Sequence, residues 1–497
     1  MSAIDSLEPR PVWQFFAGIA AVPRPSKKEE RIRQHLSQVA QSFGWTTAID
    51  AVGNLVAKVP ASPGCEGAPT VVLQAHMDMV CEKNSDTVHD FDTEGIRLLV
   101  ETDAHGKQIV RADGTTLGAD NGIGVALAYA AGSVAGVVHG PLEILITVDE
   151  EEGMSGASGL DPAILTGKLM LNLDTEEDHS IYIGCAGGCF ADYRLADRAE
   201  PLGDRGLYKL VVKGLRGGHS GGDIHEGRGA ATVLLARTLA AAGSEFGLVA
   251  AQAGSKLNAI PREAWAVVAG APELGEGLRQ AAARLTAAGR AESFEPGLSI
   301  EVETVQDAEA GVLPVAASRR LLQLLLALPQ GVIGMHPRIP SLVETSNNVA
   351  TLKSRRDGQE LVFEVGLLAR SSAESRMDEL VAKLEALAAL SGSEVRFSSR
   401  YPGWAPNLDS KVLALCRQVH QQLFGSEPKV AAVHAGLECG ILGERVEGLD
   451  MVSIGPRIEG AHSPDERVWV ESVDKAWLYL KALLAALAQG GTEPARA

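Results

Sequence analysis

Thr70-Val-Val-Leu-Gln-Ala-His-Met-Asp78 is the stretch on which the fold turns. Val71 to Leu73 is an apolar, β-branched run of the kind that forms a strand buried on both faces. It ends in His76-Met77-Asp78, where a side-chain period of two sends His76 and Asp78 one way and Met77 the other. An imidazole beside a carboxylate, at the carboxyl end of a buried strand, suits a metal ligand with an orienting group next to it. Taken alone, the triplet reads more simply as a core histidine bonded to a neighbouring aspartate. The rest of the chain changes that reading.

Downstream, the same pattern returns. Thr115-Thr-Leu-Gly-Ala-Asp120-Asn-Gly-Ile-Gly124 opens an Ala-rich helix through Ala131. Leu142–Val148 is a second buried strand and runs into Asp149-Glu150-Glu151-Glu152-Gly153; Leu169–Leu173 is a third and ends in Asp174. Strands alternating with helices predict an α/β domain with a mostly parallel, mixed sheet, whose ligands bind beyond the carboxyl ends of the strands. Upstream, Pro11–Val22 reads as a short helix. Ser26 with Glu29 reads as a capping box opening a helix to about Phe43. Trp45–Ile49 and Asn54–Val59 read as strands, and the polar stretch from Asp86 to Arg111 as an excursion with hairpins.

Around Cys185-Ala-Gly-Gly-Cys189 the style changes. Strand-like Tyr208–Val212 leads through Arg216-Gly-Gly-His219-Ser into a helix over Ala230–Ala241. Strand-like Glu360–Leu368 leads through Arg370-Ser-Ser into a helix over Met377–Ala389. The parallel suggests an internally duplicated α+β insertion. The expected division is a discontinuous catalytic domain of residues 1–186 and 400–497, with 187–399 inserted as a lid. The second part resumes α/β: a helix Ser410–Leu423, a strand Val430–Val433 leading to His434-Ala-Gly-Leu-Glu438, a strand Met451–Ile454 leading to His462, a helix Val473–Leu487 and a frayed tail Gly490–Ala497.

A chain of 497 residues exceeds one core. A net charge of −18 speaks against nucleic acid or an anionic membrane as partner, since both need a basic face. Six cysteines without a C-x-x-C pair fit free thiols in a reducing cytoplasm. No run is long and apolar enough for a bilayer, and the amino terminus lacks a secretory pattern. These features predict a soluble cytoplasmic protein.

The candidate ligands are His76, Asp120, one glutamate of the 149–152 run, Asp174 and His462. Two imidazoles and three carboxylates suit zinc, with cobalt or manganese as substitutes. One catalytic zinc takes about three protein ligands, so five groups point to two divalent metal ions sharing a carboxylate. Such a pair would hold a water and lower its pKa to about 7. Hydrolysis then needs a general base, and neighbouring Glu150 and Glu151 could supply base and ligand from one turn. A solvated turn is the plainer reading of an acidic run, but this one directly follows a buried strand.

His76-x-Asp78, Gly118-Ala-Asp120-Asn, Glu150-Glu151-x-Gly-Met, Asp174 and Gly460-Ala-His462-Ser resemble the co-catalytic zinc peptidases that include carboxypeptidase G, the aminoacylases and dipeptidases. Leu73-Gln-x-His-x-Asp-Met-Val, Asp86-Thr-Val-His-Asp90-Phe, Thr115–Gly124, Gly184-Cys-Ala-Gly-Gly188 and Gly217-Gly-His-Ser-Gly-Gly-Asp-Ile-His225 are similar to the bacterial aminoacyl-histidine dipeptidase branch. The resemblance covers nearly the whole chain. It implies Asp120 as bridging ligand, His76 and Asp174 completing one metal site, and Glu151 and His462 the other. It further implies Glu150 as general base, Asp78 as the carboxylate orienting His76, and a cis peptide at Asp120–Asn121. Glu150 and Glu151 take these roles because the register is set on Gly153-Met154.

On the substrate side, His219 could meet the oxyanion and Arg370 could clamp a substrate carboxylate, with Asn258 and Glu438 as pocket residues. His225 and His434 receive no role, and Met77, Met79 and Met154 read as packing. The expected activity is hydrolysis of dipeptides, Xaa-His including β-alanyl-histidine, with an N-acyl amino acid amidohydrolase as the alternative on the same two-metal site. A pure metal- or peptide-binding module would have no use for Glu150. A phosphate-binding loop at Gly118–Gly124 is excluded, because it lacks Gly-Lys-Ser/Thr and Asp120 would repel phosphate. The expected partner is a small peptide substrate, and a homodimer is allowed.

Overall fold

The computed structural model describes residues 3–292, 295–306 and 311–490. The tail expected from Gly490 onward lies, past that residue, outside them. The chain forms two compact units: Met1–Gly184 with Pro406–Ala432 and Leu437–Ala497, and Cys185–Ala405 with Val433–Gly436.

An eight-stranded sheet organises the first unit. Its order is Thr46–Ile49, Leu55–Val59, Leu142–Thr147, Val71–His76, Leu169–Asn172, Asp450–Ser453, Ser180–Cys185 and Lys429–Val433. From Leu142–Thr147 to Asp450–Ser453 the neighbours are parallel, and antiparallel strands flank them. Every residue of Val71–His76 and of Leu142–Thr147 is buried, which is what unbroken apolar runs in a covered parallel sheet require. The register sets His76 opposite Thr147 and Asn172 opposite Ser453. The chain therefore leaves this edge of the sheet at His76, at the 149–152 run, at Asp174 and in the segment leading to His462.

Helix Ala119–Ser133 is nearly all Ala, Gly and apolar, and almost wholly buried. Small side chains let it lie close: a Cβ on Gly124 would stand 2.6 Å from the Leu173 carbonyl oxygen. The 86–111 excursion contains the antiparallel pair Leu98–Thr102 and Gln108–Ala112. That pair extends into a four-stranded sheet with Arg467–Trp469 and Ile458–Glu459, so His462 sits in the connection between two paired strands.

The expected capping box does not form. The helix begins at Glu30 with Glu29 as its N-cap, and no side chain caps it. Ser26 instead donates to Asp78 Oδ2 at 2.7 Å, and Glu29 accepts from the backbone N–H groups of Lys27 and Asp149. Both side chains satisfy long-range partners at the sheet's carboxyl edge, which outweigh a local cap worth about 1 kcal/mol.

The second unit carries a nine-stranded sheet. Along its path run Ser299–Val305, Gly206–Lys213, Ala264–Gly270 and Phe246–Ala253, then Val343–Asp357, Glu360–Ser371, Gly187–Arg198 and Glu394–Tyr401; Gly331–Met335 pairs beside Val343–Asp357. Each group of four is a strand-helix-strand-strand-helix-strand unit with spatial order 4-1-3-2. Its helices are Ala231–Ala241 and Pro272–Glu292 in one repeat, and Val315–Ala327 and Glu374–Ser391 in the other. The repeats join antiparallel through their second strands, Gln252 opposite Lys353. One repeat is thus inserted between the first strand and first helix of the other.

The correspondence differs from the one expected. Gly206–Lys213 matches Gly187–Arg198, while Glu360–Ser371 matches Ala264–Gly270. A strand, small turn and helix occur twice in each such repeat, so that string alone does not tell a first strand from a third.

Candidate metal centre

In the first unit, five of the expected ligands converge. His76, the last residue of its buried strand, has Nε2 3.0 Å from Asp120 Oδ1 and 3.5 Å from Asp174 Oδ1. His462 Nε2 lies 3.2 Å from Asp120 Oδ2 and 2.9 Å from Glu151 Oε2. The two oxygens of Asp120 therefore face different imidazoles. Two groups of possible metal ligands follow, His76/Asp120/Asp174 and Asp120/Glu151/His462, with Asp120 common to both; His76/Glu150/Glu151 is a third. The Asp120–Asn121 peptide is cis.

The acidic run is sorted by its partners. Asp149 turns inward, in a left-handed conformation, and accepts from Ser155 Oγ at 2.5 Å. Glu152 pairs with Lys27 at 2.7 Å. Only Glu150 and Glu151 converge on the site. Their backbone N–H groups donate to the two oxygens of Asp78, at 3.1 and 3.2 Å. Asp78 Oδ1 is also 3.3 Å from His76 Nδ1. One buried carboxylate thus orients the imidazole and anchors the turn that bears both glutamates.

Glu438 joins this cluster from a distant part of the chain. It is buried, with Oε2 accepting from Gln74 Nε2 at 2.7 Å and Thr147 Oγ1 at 2.6 Å.

Burial pushes the Glu150 carboxyl well up; His76 opposes this, while the negative charges of Asp174, Glu151 and Glu438 add to it. Burial likewise raises Asp174 to about 6 and Glu438 to about 8. Asp120 goes the other way: burial is outweighed by its bonds to His462 and His76, which hold it far below the usual carboxylate range. His462, bonded to Asp120 and Glu151, is raised to about 11. The cluster is short of positive charge, and protons on the imidazoles and acids make up the deficit. Divalent cations would displace those protons, since ligands bind metal deprotonated. Glu151 Oε1 is buried and makes no hydrogen bond, and buried Asp174 Oδ1 has only the 3.5 Å approach of His76 Nε2. Such orphaned oxygens are costly unless an ion takes them. The residues present fit a metal pair.

The remaining expected residues lie in the second unit and form a cluster of their own. Arg370 is 4% exposed. Its Nη1 is 3.3 Å from Tyr401 Oη, and its Nε is 3.5 Å from Ser220 Oγ. The Ser220 N–H donates to the Asn258 carbonyl at 2.8 Å. His219 Nδ1 accepts from the N–H of Gly222 at 3.0 Å and of Gly221 at 3.3 Å, which leaves the proton of its neutral ring on Nε2. Although the ring reaches the surface, partial desolvation and the charge of Arg370 hold its pKa below the ordinary value. His434, given no role by its sequence, is buried with Nε2 2.7 Å from Ser346 Oγ. Burial and Arg370 push it down to about 3. Sequence reading missed Ser26, Tyr401, Ser220 and His434 because their partners lie far off along the chain.

The profile of the peptidase family M20/M25/M40 matches residues 72–486. The cytosol non-specific dipeptidase of Escherichia coli is 41% identical over 491 residues, 97% of this chain and 99% of that protein. The crystal structure of aminoacylhistidine dipeptidase from Vibrio alginolyticus superposes with a TM-score of 0.86 at 40% identity, covering 98% of both chains. An aminopeptidase from Bacillus cereus shares the fold at a TM-score of 0.61 and 18% identity. With a profile match over most of its length and relatives alike from end to end, this chain belongs to peptidase family M20/M25/M40.

Proposed function

We propose that the protein is a metal-dependent dipeptidase working with two ions, zinc by preference, with cobalt or manganese as substitutes. The observation that carries this reading is Asp120, with one oxygen 3.0 Å from His76 and the other 3.2 Å from His462. A carboxylate so placed suits a ligand common to two ions, completed by His76 and Asp174 on one side and by Glu151 and His462 on the other. Ions held there would supply Lewis acidity toward the scissile carbonyl and acidify water.

The chain's own part is proton handling and positioning. Glu150 takes the proton of the attacking water and returns it to the leaving amine; burial and the neighbouring carboxylates raise its pKa, which makes it the stronger base. Asp78 fixes the turn from which Glu150 and Glu151 diverge. On the substrate side, Arg370 is assigned the free carboxylate of a dipeptide, and the His219 Nε2–H the oxyanion that develops on the scissile carbonyl. Asn258 and Glu438 are assigned to the pocket. Xaa-His dipeptides, β-alanyl-histidine among them, are the proposed substrates within a broader tolerance. The names of the Vibrio and Escherichia relatives support those two parts respectively. No helix among the described residues is long and apolar enough to cross a membrane. A cytoplasmic location belongs to the same proposal, supported by the name of the Escherichia relative, and so does a homodimer.

The test pairs metal analysis with a substrate panel. Two ions per chain and faster cleavage of free dipeptides than of N-acetyl amino acids are expected. Preference for N-acetyl amino acids would install the amidohydrolase alternative, and a single ion per chain would sink the two-ion site. Sedimentation at twice the chain mass is expected for the dimer.

A further inference from the structure

Two buried side chains of opposite charge, Arg24 and Glu466, tie together the turns that carry His76, Asp78, Asp120 and His462. Each is 2% exposed. The Arg24 guanidinium donates through Nη1 to the carbonyl oxygens of Met77 at 3.1 Å and Asp78 at 2.7 Å, and through Nη2 to that of Gly118. Gly118 has a φ of +67°, and a Cβ there would run into the same guanidinium. Glu466 accepts four successive backbone N–H groups: Leu117 at 2.7 Å and Gly118 at 2.9 Å on Oε2, Ala119 at 2.8 Å and Asp120 at 3.2 Å on Oε1.

Four consecutive amides converging on one carboxyl group form a backbone nest that favours its ionised form. Glu466 also closes the His462 loop. Its own N–H donates to the Ser463 carbonyl at 3.1 Å, and the Ser463 N–H to that of Gly460 at 3.2 Å. One side chain thus spans the loop of His462 and the backbone of Asp120, whose side chains stand 3.2 Å apart. The other spans the Asp120 turn and the end of the His76 strand.

We infer that Glu466 and Arg24 are positioning residues for the metal pair: Glu466 sets Asp120 against His462, and Arg24 sets Asp120 against His76 and Asp78. Neither is itself a ligand. The inference rests on the two-ion reading above. Groups that orient ligands typically cost about 10–100-fold in metal affinity when removed.

Glu143 supplies the contrast. It too is a buried carboxylate in this unit, accepting the N–H groups of Thr166 at 2.8 Å and Gly167 at 2.9 Å. It lies near the start of its strand, however, away from the edge where the ligands leave. Cobalt(II) titration of the metal-free protein, followed by visible absorption, separates the two cases. Glu466→Gln should weaken uptake of the less tightly held ion about 10–100-fold. Glu143→Gln should lower the thermal midpoint and leave the cobalt isotherm unchanged. Arg24→Lys, which keeps the charge but not the three-way fork, should shift the isotherm in the same direction as Glu466→Gln by a smaller factor.

A wild-type isotherm in folded Glu466→Gln overturns the inference, and so does an equal loss in Glu143→Gln. Should circular dichroism show Glu466→Gln unfolded, Arg24→Lys decides, a wild-type isotherm again overturning it. If the wild-type protein itself takes up no cobalt, the two-ion reading fails instead.

Discussion

The polar clusters of the two units obey one rule with opposite signs. In the first, carboxylates gather, and burial with mutual repulsion drives Glu150, Asp174 and Glu438 toward holding protons. In the second, bases gather, and desolvation with the charge of Arg370 strips protons from His219 and His434. Burial disfavours whichever charge a group carries, so a buried cluster of one sign calls for a ligand of the other. The acidic cluster suits cations; the basic one suits a carboxylate. In the proposed reaction the acidic cluster is assigned the bond cleavage, and Arg370 the free carboxylate of the dipeptide.

That division breaks most visibly at Glu150. Glu150→Gln should retain two ions per chain and lose roughly 10²–10⁴ in kcat, the usual share of a general base. Glu151→Ala should instead lower the metal content, measured by atomic absorption. Wild-type turnover in Glu150→Gln, or two tightly held ions in Glu151→Ala, would undo the split between base and ligand.

A smaller effect is expected in the second unit. Arg370→Lys loses the planar fork that can grip a carboxylate at two points. Hydrogen bonds to charged groups contribute about 1.5–3 kcal/mol, so KM for free dipeptides should rise roughly 10–100-fold. Metal content should stay the same, and dipeptide amides, lacking the carboxylate, should be hydrolysed as by the wild type. An equal KM change for the amides would remove Arg370 from its assigned role.

The smallest effect sharpens the sign of the basic cluster. The folded pKa of His434, pushed down to about 3, lies below the unfolded value of about 6.5. The unfolded chain therefore binds the extra proton between those values. Stability is complete above about pH 6.5 and drains as the pH falls through that window, by about 1.4 kcal/mol per pH unit. His434→Gln should flatten the fall of the thermal midpoint between pH 7 and 5, and an unchanged slope would show that other groups carry the acid sensitivity.

Strand-end residues were legible from the chain because burial and periodicity are local. Val71–Leu73 reads as buried on both faces from its own composition, and so is every residue of the strand Val71–His76. In the 149–152 run the register on Gly153-Met154 picked out Glu150 and Glu151, and the structure gives the outer two acids other partners: Lys27, 125 positions away, draws off Glu152, and Ser155, six positions on, draws off Asp149. Ser26 misled, since a perfect local cap yields to Asp78 across 52 positions. The repeats of the second unit were visible as a duplication but not in register, because each contains two strand-turn-helix strings.

By itself, then, the sequence determined the α/β pattern of the first unit, the places where its strands end and the residue types waiting there. These depend on side-chain period and hydrophobic runs, which each segment carries with it. Only the tertiary structure decided which atoms meet: the two oxygens of Asp120 facing separate imidazoles, Glu438 beside Thr147, and Glu466 gathering four amides 346 to 349 positions away. A hydrogen bond depends on position to within a few tenths of an ångström. That position comes from the paths of backbones far apart in the chain, which no local string encodes.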